Sequence, residues 1–162
     1  MPEVDKRHEW GEPAPTPGAP LAVDRFLLAN GLEVWHQARP GSGTVSLILL
    51  VRSGARHETP RNNGISHFVE HMLFDGTARW SELEIKEVIR RRGGYFNAQT
   101  DYEHTAYEVH LLAEDFELAL DWLVEIVFRS TFPPDKVERE RGVLIQEKGG
   151  RGSRFLELLE EW

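Results

Sequence analysis

Apolar and polar positions recur regularly enough to divide most of the chain into elements. Arg25 to Ala29 and Leu32 to Gln37 flank Asn30-Gly31, a pair suited to a tight primed turn, and predict a two-stranded hairpin. Val45 to Val51 (VSLILLV) is short and almost wholly apolar, which predicts a central strand covered on both faces. Asn62-Asn63-Gly64 offers a cap region for a helix over about 64–74. Ser81 with Glu84 three residues on makes a capping box, and the helix it opens runs to about Arg92 before Gly93-Gly94. Tyr95 to Leu112 reads as two strands around a turn near Asp101. Thr105, Tyr107, Val109 and Leu111 then share one face by period two. Asp115 to Arg129 is helical, Pro133-Pro134 opens a further helix to about Lys148, and Gly149, Gly150 and Gly152 break it. About five strands, mostly in hairpins, and four grouped helices predict an α+β fold, a mostly antiparallel sheet packed by helices.

Composition narrows the class. Residues 1–20 include the Pro-rich run GEPAPTPGAP and read as a flexible tail, leaving 21–162 as one folded domain. With 40% apolar and 28% charged residues the domain is ordinary globular protein, and its longest apolar run, Leu47 to Val51, is too short to span a membrane. A formal charge of −8 argues against gripping nucleic-acid phosphates. The chain has no cysteine, which excludes disulfides, zinc–thiolate sites and thiol nucleophiles. Met1 to Gly11 lacks the apolar stretch of a signal peptide, so a cytoplasmic location is expected.

One segment carries chemistry: His67-Phe68-Val69-Glu70-His71. Positions i, i+3 and i+4 of a helix share a face, so one turn presents two imidazoles and a carboxylate together. Imidazole nitrogens suit zinc, and a carboxylate beside them can serve as base toward a water that the metal activates. The pattern H-x-x-E-H is a metallopeptidase signature. With seven histidines in the chain it would arise by chance roughly 0.04 times, so the segment invites the reading without settling it. The alternative is a solvated helix face, since His67, Glu70 and His71 lie opposite the apolar side formed by Ile65, Phe68, Val69, Met72 and Leu73.

A second helix bears on that choice. Glu140 and Glu147 nearly superimpose on its wheel, flanked by Val137, Val143 and Leu144. A buried carboxylate needs a positive partner. A divalent metal held by the first helix would serve and lacks a third protein ligand, which makes Glu147 the candidate. A salt bridge to an arginine, such as Arg90 to Arg92, is the other explanation. The remaining histidines, His8, His36, His57, His104 and His110, read as surface or structural residues.

These residues together resemble the pitrilysin/insulinase family of zinc metallopeptidases, the inverzincins. His67 to His71 matches the family's H-x-x-E-H. Glu147 stands 76 residues after His71, at the spacing of the family's third ligand, and Glu140 matches its second acidic position. Gly93 to Thr100 resembles the glycine pair and N-A-x-T strand of the family, and the likeness extends over roughly 21–148. The resemblance implies His67, His71 and Glu147 as zinc ligands between two helices, Glu70 as general base, and Glu140 behind them, orienting His71. It implies that Asn97 and Ala98 lie on a strand edge that takes up a peptide substrate as an added strand. Family members continue past the point where this sequence ends, at Trp162 within a helix begun near Phe155, and add a second domain of the same fold. The expectation is therefore an endopeptidase half that needs a homologous C-terminal half or a dimer partner. A non-hydrolytic zinc-binding subunit is the alternative, and an interaction protein without metal a third reading.

Overall fold

A computed structural model describes residues 22–148, and these fall into two compact units divided between Gly43 and Thr44. The Pro-rich run and the segment from Gly149 onward, including the helix expected near Phe155, lie outside the described residues.

The first unit contains the expected hairpin. β1 (Asp24–Leu27) pairs antiparallel with β2 (Glu33–His36), with Asp24 opposite His36 and Leu27 opposite Glu33. The Leu28 carbonyl accepts from Gly31 N at 2.9 Å, and the Asn30 side chain accepts the Leu32 amide at 3.1 Å. An Asx side chain closing its own turn in this way is why the Asn-Gly pair marks a hairpin.

The second unit runs β3 (Thr44–Val51), α1 (Ile65–Met72), α2 (Glu82–Arg90), β4 (Tyr95–Thr100), β5 (Thr105–Leu112), α3 (Phe116–Arg129) and α4 (Pro134–Lys148). Short 3-10 turns, Ala55–His57 and Ala113–Asp115, follow β3 and β5. The three strands form an antiparallel sheet in the order β3-β5-β4. This is the expected α+β architecture. Among the described residues no helix is long and apolar enough to cross a membrane.

β5 is the spine of the core. Thr105, Tyr107, Val109 and Leu111 are all buried on one face, as the alternation predicts, and pack with Ile85 and Ile89 of α2 and Ala119, Trp122, Leu123 and Ile126 of α3. Phe74, just past α1, stacks on Phe96 with centroids 5.6 Å apart and lies 6.1 Å from Trp122, while the Trp122 indole donates to the Ile85 carbonyl at 2.8 Å. A buried tryptophan thus keeps its one polar atom satisfied.

Two expectations need correction, the place of β3 and the end of α2, while the cap of α1 gains a detail. β3 is not central: among the described residues it pairs only with β5, and it buries one face while Ile48 and Leu50 remain 59% and 62% exposed. An apolar run tells how greasy a strand is, but the number of faces covered depends on how many helical layers the fold supplies. The expected cap region does supply the N-cap of α1, and within it the Asn62 side chain accepts from Thr59 N and Oγ1, both at 2.7 Å. Gly64 occupies the N-cap at φ +97°, and the Glu58 carboxylate reaches forward to take the amides of Gly64 and Ser66. A carboxylate there complements the positive end of the helix as well as its orphan amides. Finally, α2 ends at Arg90, and Arg91 to Gly93 form a closing turn in which Gly94 N donates to the Ile89 carbonyl at 3.2 Å. Its start is as predicted: Ser81 and Glu84 bond reciprocally in a capping box.

Gly94 sits where that turn meets β5. A Cβ there would lie 2.7 Å from the His110 carbonyl oxygen and 2.3 Å from Leu111 Cδ2. Because the carbonyl belongs to a strand paired on both sides, it has little room to retreat. Gly94→Ala is expected to cost about 1–3 kcal/mol, the range for overpacking a filled interior. Urea unfolding checks this, and a midpoint equal to that of the parent chain would show that the β5 backbone yields.

Candidate metal centre

α1 brings His67, Glu70 and His71 onto one side, and α4 lies across it with Glu140 and Glu147. The face is not a solvated one: the His67 and His71 side chains are 32% and 21% exposed, whereas Val69 packs on the core and Met72 and Leu73 are buried. His67 Nε2 and His71 Nε2 stand 3.2 Å apart, with the rings nearly perpendicular. Glu147 Oε2 lies 4.0 Å from the first nitrogen and 3.9 Å from the second. Donors about 2.0–2.2 Å from a tetrahedral zinc stand roughly 3.3–3.6 Å from each other, so this spacing accommodates such an ion with small side-chain adjustment. Two imidazoles and a carboxylate are also a donor set that zinc takes. Among the described residues it is the one cluster of three or more such side chains able to do so.

Glu140 lies behind His71. Its Oε2 is 3.0 Å from His71 Nδ1, and the residue is 8% exposed. A carboxylate only accepts, so the imidazole proton sits on Nδ1 and the lone pair of Nε2 faces the cluster. The arginine reading of this glutamate is met as well, though by a different residue. Arg139 Nε donates to Glu140 Oε1 at 3.0 Å, while Arg91 pairs with Glu87, Arg92 with Asp115, and Arg90 lies over Phe96. The apolar stripe expected around both glutamates holds for Glu140 and Leu144, which are buried, but Glu147 is half exposed at the rim.

Glu70 projects between the histidine turns toward the sheet, where its Oε2 accepts a hydrogen bond from Thr100 Oγ1. Thr100 shares the inner face of β4 with Phe96 and Ala98. Sequence reasoning missed this threonine, although period two counted onward from Ala98 leads to it. Tyr107 of β5 is held well above its ordinary pKa, first by burial and then by the Glu70 charge, so its phenol stays protonated.

Asn97 and Ala98 lie on β4, which pairs only with β5 among the described residues, so the other side of the strand is a sheet edge. They point to opposite faces: Ala98 packs inward on the core while Asn97 is exposed opposite Glu108. Of the other histidines, His36 approaches Asp24, His57 Nδ1 accepts from Gly54 N, and His110 Nδ1 lies 2.9 Å from Ser46 Oγ.

Beneath the site, charges are dense. Asp75, in the turn after α1, is 4% exposed; burial pushes its carboxyl up to about 6, and the nearby Glu140 charge adds to the rise. Glu82, in the first turn of α2, is instead held well below the usual range by hydrogen bonds from Arg139, Lys136 and Lys86.

Most of the chain matches known proteins. Residues 33–151 match the family described as Insulinase (Peptidase family M16). The chain is 39% identical over 125 residues to an uncharacterized zinc protease, YmxG, of Bacillus subtilis, covering 77% of this chain and 31% of that protein. It is 36% identical over 134 residues to the mitochondrial-processing peptidase subunit beta of Blastocladiella emersonii, covering 81% of this chain and 29% of the relative. Its fold superposes on the crystal structure of a protease from Helicobacter pylori with a TM-score of 0.77 at 26% identity, over 81% of this chain and 32% of that one. The chain therefore spans less than a third of the length of these proteins. The match over most of its length assigns it all the same: this chain belongs to the insulinase family, peptidase family M16.

Proposed function

We propose that the chain forms the zinc-bearing part of an endopeptidase that cleaves peptides bound in extended conformation. The observation that carries this reading is the convergence of His67, His71 and Glu147, whose ligand atoms all lie within 4.8 Å of one another. These three residues would hold the ion. When bound, zinc supplies Lewis acidity, polarising a carbonyl and lowering the pKa of a water toward ~7.

The protein's own groups do the rest. Glu70, one helical turn after His67 and next to His71 in the chain, would take the proton of the attacking water and then hand it to the departing amine. The Thr100 hydroxyl fixes one Glu70 oxygen, leaving the other for that exchange. Glu140 keeps His71 in the tautomer that presents Nε2. The edge of β4 that is unpaired among the described residues, with Asn97 and Ala98, would offer backbone groups to which a peptide adds as a further strand. A homologous second half, or a partner subunit, would complete the substrate enclosure; the match to a protein named as a subunit supports this. A zinc-binding subunit without catalysis is the second reading, and the match to a protein named as a subunit favours it. Against it, Glu70 is hydrogen-bonded beside the ligands although a structural zinc has no use for it.

Purified without chelator, the chain should carry about one zinc, and His67→Ala should lose most of it. Metal analysis decides this, and full retention in the variant removes His67 from the ligand set. Glu70→Gln should keep zinc and lose hydrolysis, because an amide has the shape but cannot take the proton. Parallel loss of metal and activity would make Glu70 a ligand. Alone, the chain should cleave a fluorogenic peptide slowly or not at all, and faster with a separately expressed C-terminal half, since positioning surfaces supply several kcal/mol of a barrier. Equal rates with and without that half would refute the two-part requirement.

A further inference from the structure

We propose that Arg139 is a positioning residue of the metal centre, fixing His71 through Glu140 by neutralising the carboxylates that converge beneath it. The inference rests on the reading of His67, His71 and Glu147 as ligands.

Arg139 uses its whole guanidinium on three segments. Nε donates to Glu140 Oε1 at 3.0 Å, Nη2 to Asp75 Oδ1 at 2.6 Å, and Nη1 to Glu82 Oε2 at 2.8 Å. The planar fork of an arginine can do this, and a point-charge lysine cannot match all three bonds at once. The partners differ in what they demand. Glu82 has two further cations, with Lys86 at 2.7 Å and Lys136 at 2.8 Å, and is indifferent to losing one. Asp75 is buried, and its Oδ2 has no hydrogen-bond partner, so Arg139 supplies its one hydrogen-bonded cation among the described residues.

Without Arg139, Asp75 and Glu140 would face each other as buried like charges. Asp75 would keep no hydrogen-bonded cation and Glu140 only its bond to the His71 imidazole, so the repulsion between the two acids acts on that bond. If Glu140 swings away, His71 Nδ1 loses its acceptor and Nε2 loses its aim. Partners behind a metal-bound histidine are worth about 10–100-fold in metal affinity. Arg139 itself is 41% exposed, so its effect on the site comes from the two buried acids it joins rather than from its own burial.

The test uses the 162-residue chain with zinc affinity read by competition against a chromophoric chelator, and with the visible spectrum of the cobalt(II)-loaded protein. Arg139→Met should weaken zinc by about tenfold or more and alter the cobalt bands. Arg139→Lys should fall between it and the parent. Arg139→Met combined with Asp75→Asn, which removes the opposing charge, should recover most of the affinity. Wild-type affinity and bands in Arg139→Met would overturn the proposal, as would a double variant that binds zinc no better than the single one. If Arg139→Met does not fold, the double variant decides: near-parental affinity supports the proposal and a tenfold loss sinks it. His67→Ala runs beside them. If the parent chain binds zinc no better than His67→Ala, the ligand reading itself fails and takes the Arg139 inference with it.

Discussion

The geometry of the centre depends on the hydrogen bond between His71 Nδ1 and Glu140. An imidazole on a helix can rotate about two side-chain bonds, and in isolation either ring nitrogen can carry the proton. One acceptor at 3.0 Å removes both freedoms. It also ties α1 to α4. The carboxylate is expensive to bury, and the fold keeps it there only because a proton donor meets one oxygen and a guanidinium the other.

Much of this is legible in the amino-acid order because the relevant chemistry is local. His67, Glu70 and His71 share a helical turn, Ser81 and Glu84 cap the next helix, and the inward row of β5 follows from period two. Glu140 and Glu147 are visible as a heptad-spaced pair, and the family resemblance supplies the distance to His71 that local spacing cannot. What is not legible depends on which segments the tertiary structure brings together. Thr100 reaches Glu70 because β4 lies beside α1, and Glu58 caps α1 from six residues before the N-cap in place of the nearer Asn62. β3 looks like a buried central strand because five apolar residues run together, yet nothing in that run reports that, among the described residues, only one side packs on the core.

The charge arrangement shows a division of labour among acids that composition alone hides. Glu82 is surrounded by cations and holds α2 to α4, whereas Asp75 and Glu140 share a single arginine. Glu125 is a further case, only 1% exposed and bonded to Arg129 at 3.3 Å on α3.

The pairing of β3 with β5 has a consequence for how the molecule assembles. Thr44 meets Leu112 and Val51 meets Thr105, so α1, α2 and β4 all belong to the loop which that pairing closes. Closing a long loop costs entropy that only the finished sheet and core repay, and pairings of such sequence separation form slowly. The histidine turn is thus tethered inside the loop, while Glu140 and Glu147 arrive from beyond its far end. The nascent chain has two neighbouring imidazoles long before α4 arrives, and with the ligand set proposed above a metal ion met during synthesis would find two of its three ligands until α4 has docked.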